Sequence, residues 1–162
     1  MKRNEQAILN AELSEAIARM GHTDILLVTD AGFPIPDDVQ RIDLALTRGV
    51  PTLEETLSLI HEELIPERIH YADDVPEMNP DFDEFLQSLY ANSGAEIEPI
   101  PHEDVIAYGE RAKAIVRTGD FVPWGNVVIQ CGTDPRPWFD GENEVMPDEY
   151  EERYRTMYGE DP

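Results

Sequence analysis

A chain of 162 residues with 41% hydrophobic residues is long enough for one domain with a packed core plus a short appendage, and too short for a multidomain enzyme. Thirty-five acidic against 12 basic residues give a net charge of −23, which sets nucleic acid and anionic membrane aside as partners. The single cysteine, Cys131, cannot close an internal disulfide, the N-terminus MKRNEQAILN has no apolar signal core, and no apolar run approaches a bilayer span; the expectation is a cytoplasmic protein.

Residues 11–20 place Leu13, Ala16, Ile17 and Met20 on one helical face, with Asn10 as cap and Gly21 as terminator. The run Ile25-Leu26-Leu27-Val28 reads as a buried strand, and it delivers Asp30 to a turn rich in glycine and proline. A second apolar segment covers 42–46, and the Thr52-x-x-Glu55 capping box opens a helix that runs to about residue 63. A strand is predicted over 68–72. Asn79-Pro80 then starts a helix with Phe82, Phe85, Leu86 and Leu89 on its apolar face, and Ile97 and Ile100 mark another strand. Residues 102–113 read as helical; 114–116 and 127–129 read as strands close enough to pair antiparallel. The alternation predicts an α/β fold, three-layer α/β/α, with a mixed, mostly parallel sheet.

After Gly132 the character changes, so residues 1–133 are expected to form the domain and 134–162 an acidic, aromatic extension. The extension holds ten acids and three arginines, −7, leaving −16 on residues 1–133, so the acidity is spread over the whole surface. Such self-repulsion is screened when salt shortens the Debye length to about 3 Å at 1 M, and salt adaptation is the reading. Trp138, Phe139, Tyr150, Tyr154 and Tyr158 bring five of the 13 aromatics into the extension, and the tyrosine spacing predicts a short helix docked on the domain or on a neighbouring copy.

The chain has no phosphate-cradling glycine loop, no nucleophile elbow, no Cys-x-x-Cys and no His-Glu-x-x-His, so redox and zinc chemistry lose support and no metal site is expected. His61 and His70 read as structural. His22, at a helix-to-strand junction, serves equally as a cation at a helix C-terminus. Asp30 serves as an Asx turn or, at the end of a buried strand, as part of a ligand crevice. His102, following a proline at a helix start, reads by position as an ordinary surface residue.

Taken together these segments carry a pattern. Gly21-His22-Thr23-Asp24, Asp30-Ala31-Gly32-Phe33-Pro34-Ile35-Pro36, Arg41-Ile42-Asp43-Leu44-Ala45-Leu46 and Gly49-Val50-Pro51-Thr52 are followed by Pro101-His102-Glu103, Arg117-Thr118-Gly119-Asp120 and Trp124-Gly125-Asn126-Val127-Val128-Ile129. In order and spacing the set resembles the D-ribose pyranase family over about residues 7–133, and the related L-fucose mutarotases share less of it. The resemblance implies a cofactor-free isomerase that interconverts pyranose and furanose forms of a monosaccharide such as D-ribose. It implies that His22 is the proton donor, and that Asp30, His102, Trp124, Gly125 and Asn126 bind the sugar. It further implies a homo-oligomer, a pentamer or decamer, with sites between subunits. The family usually has tyrosine where this chain has Trp124, which exchanges a phenolic hydroxyl for an indole N–H and a stacking face.

These residue types suit the chemistry independently: ring opening needs a proton at the ring oxygen and one removed from the anomeric hydroxyl, and histidine titrates near neutrality. The alternative is a non-catalytic sugar-binding or regulatory module linked to uptake, which needs Asp30 and Asn126 but no titrating His22. If His22 and Asp30 meet one sugar, their separation matters: eight extended steps of about 3.3 Å approach 26 Å. Either the chain bends sharply near Thr23 or the two come from different subunits.

Overall fold

The computed structural model describes residues 8–141 and 143–159. Residues 1–7, where the sequence was read for a leader, and 142 and 160–162 of the extension lie outside the described residues. In chain order the elements are α1 (Ala11–Ala18), β1 (Ile25–Thr29), β2 (Gln40–Asp43), α2 (Leu53–His61), β3 (Pro66–Ala72), α3 (Val75–Met78), α4 (Pro80–Tyr90), β4 (Glu96–Ile100), α5 (His102–Tyr108), β5 (Ala114–Arg117), β6 (Asn126–Cys131) and α6 (Asp148–Tyr158).

Helix starts follow the local chemistry. The Asn10 side chain accepts the Leu13 N–H at 2.9 Å, and Thr52 and Glu55 exchange both bonds of a capping box at 3.1 Å each. The predicted 102–113 helix stops early: α5 ends at Tyr108 and continues as a 3-10 turn over Gly109–Arg111. There Gly109 lies against the Phe33 ring, where a Cβ would come within 3.3 Å.

One six-stranded sheet has the order β2-β5-β1-β6-β3-β4. The pairs β2/β5, β5/β1 and β3/β4 are parallel, while β6 runs antiparallel to both β1 and β3. Five strands therefore point one way and β6 alone points the other. The expected pairing of the last two strands does not occur, because β1 lies between β5 and β6. All five β1 residues are buried, so this strand takes the centre of the sheet and the 118–125 segment carries the chain past its end. Helices cover the sheet, and Leu26, Leu27, Ile115, Ile129, Ile69 and Tyr71 are among the largest fully buried side chains. No described helix is long and apolar enough to cross a membrane.

The extension does form a helix, but its anchor is not the tyrosine stripe. No α6 residue is fully buried. Instead Arg153 donates to the carbonyls of Thr133 (3.2 Å), Gly94 (2.9 Å) and Pro66 (2.7 Å). The guanidinium enters between two glycines: a Cβ on Gly132 would lie 2.6 Å from Arg153 Nη2, and one on Gly94 would lie 2.9 Å from Arg153 Cγ. The aromatics pack among themselves, Phe139 on Tyr150 and Tyr154 on Tyr158, with Arg136 over the Tyr158 ring.

Candidate functional site

Because β1, β5 and β4 point the same way while β6 points back, the residues following β1, β5 and β4 and those opening β6 all reach one edge of the sheet. Crevices at carboxyl strand ends are where open α/β sheets bind ligands. Here Asp30, Gly32, Phe33, Pro34, His102, Ile106, Trp124 and Asn126 line a cleft of about 290 Å³, close to the lower end of the range for small-molecule pockets, about 300 Å³. Four of the five residues predicted to bind sugar therefore share one cleft. The fifth, Gly125, lies beneath it; a Cβ there would meet Val122 and Leu53, and its carbonyl accepts the Asp30 N–H at 3.0 Å.

Each wall is fixed by bonds that leave few alternatives. Asp30 Oδ1 accepts the Gly32 N–H at 2.7 Å, so the Asx turn and the crevice position hold together. Arg117 donates to the Ala31 carbonyl (3.1 Å) and pairs with Asp43 (3.0 Å), tying this loop to β2. The Ala31 N–H donates to the Asp120 carbonyl, and Asp120 Oδ2 accepts the Leu53 N–H in the first turn of α2 at 2.8 Å. On the β6 side, Asn126 Oδ1 accepts the Asp30 N–H at 3.3 Å. The Asn126 Nδ2 amide makes no hydrogen bond among the described residues.

Two features mark the cleft as more than a surface dimple. Trp124 sits at φ +54, a left-handed conformation that costs a bulky residue roughly 1–3 kcal/mol and persists only where surroundings over-determine it. Here the Gly125 N–H to Val122 and Asn126 N–H to Trp124 bonds hold it on both sides. His102 Nδ1 is buried with no partner among the described residues, and such an orphan is rare in a settled interior. Burial also raises the Asp30 carboxyl above its ordinary range; the Gly32 and Phe33 N–H groups pull it down, Asp120 pushes it up and His102 lowers it.

His22 is elsewhere. It precedes β1 at the opposite edge of the sheet, so within one chain it does not approach the cleft. Its Nε2 lies 2.5 Å from Glu67 Oε2. A β-bulge throws Glu67 outward: Pro66 faces Cys131 and Arg68 faces Gln130, leaving Glu67 unpaired in the ladder. Thr23, next to His22, has φ +70 and donates its N–H to the Cys131 carbonyl at 2.9 Å. A cavity of about 310 Å³ opens beside the pair, lined among others by Arg68, Glu96, Glu149, Tyr150 and Arg153. Cys131 itself is 2% exposed, and burial pushes its thiol up to about 12, which leaves it inert.

Reading the sequence missed Glu67, Asp120, Phe33 and Ile106. The Asp120 signal was present in Arg117-Thr118-Gly119-Asp120, a turn placed directly after a strand; Glu67 carries no local signal, because a bulge is defined by the partner strand. A larger apolar groove of about 780 Å³, lined by Leu9, Leu13, Leu44, Leu59 and Phe85 among others, lies apart from both sites.

Comparison with known proteins gives these positions a context. Residues 2–134 match the RbsD / FucU transport protein family. The chain is 51% identical over 151 residues to D-ribose pyranase 1 of Streptomyces griseus, covering 93% of this chain and 97% of that protein. It is 47% identical over 154 residues to D-ribose pyranase 2 of Rubrobacter xylanophilus, covering 94% and 97%. Among solved structures, Bacillus subtilis RbsD complexed with D-ribose superposes with a TM-score of 0.76 at 38% identity, covering 82% of this chain and 98% of that one. The fucose mutarotase of Streptococcus pneumoniae shares the fold at TM-score 0.66 and 20% identity. The chain belongs to the RbsD / FucU family.

Proposed function

We propose that this protein is an isomerase that opens and recloses the ring of D-ribose, with a sugar bound in the Asp30–His102–Trp124–Asn126 cleft and His22 of a neighbouring copy moving the proton. The observation that carries this reading is the cleft itself: a half-buried carboxylate, an imidazole, an amide with free N–H donors and an indole held on a left-handed backbone line a volume suited to one monosaccharide. A polyol has donors and acceptors for all of them, whereas an apolar ligand would leave them unpaired.

The steps follow from hemiacetal chemistry. Loss of the anomeric hydroxyl proton lets that oxygen form the C1 carbonyl, while the C1–O5 bond breaks and its electron pair goes to O5, which takes a proton. The C4 hydroxyl then adds to C1, with proton movements reversed, to close the furanose. Asp30 and Asn126 hold the hydroxyls, Trp124 offers its face to the sugar's C–H surface, and His22 supplies the proton to the ring oxygen. No cofactor enters the scheme.

His22 stands at the far edge of the sheet from its own cleft, which supports sites shared between copies in a homo-oligomer. With −23 per chain, such an assembly is expected to grow as salt rises from about 0.1 M to 2 M in sedimentation; one size at every salt concentration counts against it. The function is tested by measuring exchange between ribose ring forms by NMR with and without the protein in concentrated salt. Acceleration supports the isomerase; ribose binding without acceleration identifies a sugar-binding module instead.

A further inference from the structure

We propose that Glu67 is the positioning residue of His22, and that Arg153 of the C-terminal extension holds the bulge that presents it; this rests on the reading of His22 as the proton carrier. Nothing in the ring-opening scheme uses Glu67 or the extension, yet both converge on His22. Glu67 Oε2 occupies His22 Nε2 at 2.5 Å, so Nε2–H points at the carboxylate and Nδ1 is the ring nitrogen left to exchange a proton with a sugar. A carboxylate behind an imidazole fixes the tautomer and stabilises the imidazolium that forms in turnover. In the isolated chain the two side chains are 42% and 35% exposed, so attraction alone does not hold them.

What holds them is the backbone. Thr23 is pinned at φ +70 by its bond to Cys131, and the Glu67 bulge is pinned on its other side by Arg153, whose Nη2 donates to the carbonyl of Pro66, the residue before Glu67, at 2.7 Å. The Gly132 N–H closes the same corner on the Ile65 carbonyl at 2.8 Å. Losing Arg153 strips three carbonyls of a donor in a half-buried corner and frees the bulge to move. The extension also places Glu149 and Tyr150 on the cavity wall beside His22. The ribose-complexed B. subtilis chain is covered almost completely by 82% of this one, whereas the S. griseus and R. xylanophilus pyranases align with 93% and 94% of it, so the segment that carries the brace goes with the longer chains.

The test measures ribose ring exchange by NMR, giving kcat and KM, with ¹⁵N spectra of the His22 ring, on the full chain in concentrated salt. Glu67→Gln keeps the volume and removes the charge; kcat is expected to fall about 10–100-fold with KM within about twofold, and the ring is expected to change from one tautomer to a mixture. If this variant fails to fold, Glu67→Asp carries the same test, with charge kept and reach shortened. Arg153→Lys cannot bridge three carbonyls and is expected to lower kcat several-fold, while the double variant with Glu67→Gln is no slower than Glu67→Gln alone. Additive losses overturn the action of Arg153 through Glu67. An inactive His22→Ala beside a Glu67→Gln of wild-type kcat and unchanged tautomer overturns this inference alone. A His22→Ala that exchanges ring forms at the wild-type rate overturns the role of His22 and this inference with it.

Discussion

The two ends of β1 are built on opposite plans. At its carboxyl end, Asp30 is locked among residues from β2, β5, β6 and the start of α2 by bonds to Gly32, Asn126, Gly125 and the Ala31 loop. At its amino end, His22 stands half in solvent, with one carboxylate partner delivered by a bulge. In the proposed function the first end is a preformed receptor within one chain, and the second is a reagent held out on a mount. Substrate recognition rewards preorganisation inside a wall of fixed dipoles, whereas a proton carrier that must reach into another molecule's cleft has to stand proud of its own surface. The five buried residues of β1 keep the two apart.

The sharpest way to break this division is His22→Ala. Ring exchange is expected to fall about 10²–10⁴-fold, with calorimetric affinity for ribose unchanged; a parallel loss of binding would merge the two ends into one function. Next in size is complementation. At ribose well below KM, where each variant alone is slow, His22→Ala and Asp30→Ala chains assembled together in high salt are expected to regain roughly a quarter of wild-type activity if each site takes its reagent and receptor from different copies. No recovery would mean that each chain serves itself.

Asp30→Ala, in contrast, is expected to weaken ribose binding by about 1–3 kcal/mol, roughly 5- to 150-fold in affinity, read by calorimetry. The same residue gives a smaller, opposite effect on stability. Its carboxyl is raised in the fold, mainly by burial, so the folded chain holds a proton that the unfolded chain releases first. Stability from this group is present below the ordinary aspartate value of 3.8 and declines as pH rises through the folded value. Asp30→Asn is therefore expected to raise the melting temperature at neutral pH and to leave it unchanged well below pH 3.8. A destabilised Asp30→Asn at neutral pH would make this carboxylate a structural group.

The sequence carried the receptor well and the mount poorly. Asp30 was legible as a crevice candidate because a buried strand ends on it, whereas the position of His102 after a proline at a helix start read as ordinary surface and its place in the cleft followed from resemblance. Trp124 and Asn126 followed from resemblance, as no local pattern announces a left-handed tryptophan. The pairing of β5 with β6 was misread because nearness in sequence was taken for nearness in the sheet; the all-apolar β1 outcompeted it for the centre. Glu67 was invisible because a bulge belongs to two strands at once, and Arg153 because an arginine among acids reads as a solvated charge until the carbonyls it meets are known.

Gly132 gives the extension a compatibility rule. Any side chain there would strike both Arg153 and the backbone of Glu67, the latter at 3.1 Å, so the C-terminal helix is a graft that only a glycine-bearing host accepts. A shorter relative engineered to carry residues 134–162 would need glycine at the matching position before the added arginine could seat. Conversely, Gly132→Ala in this chain would set one methyl group against the Arg153 guanidinium and against Glu67 at once, so a single substitution at this corner reports on the seat of the brace and on the bulge together.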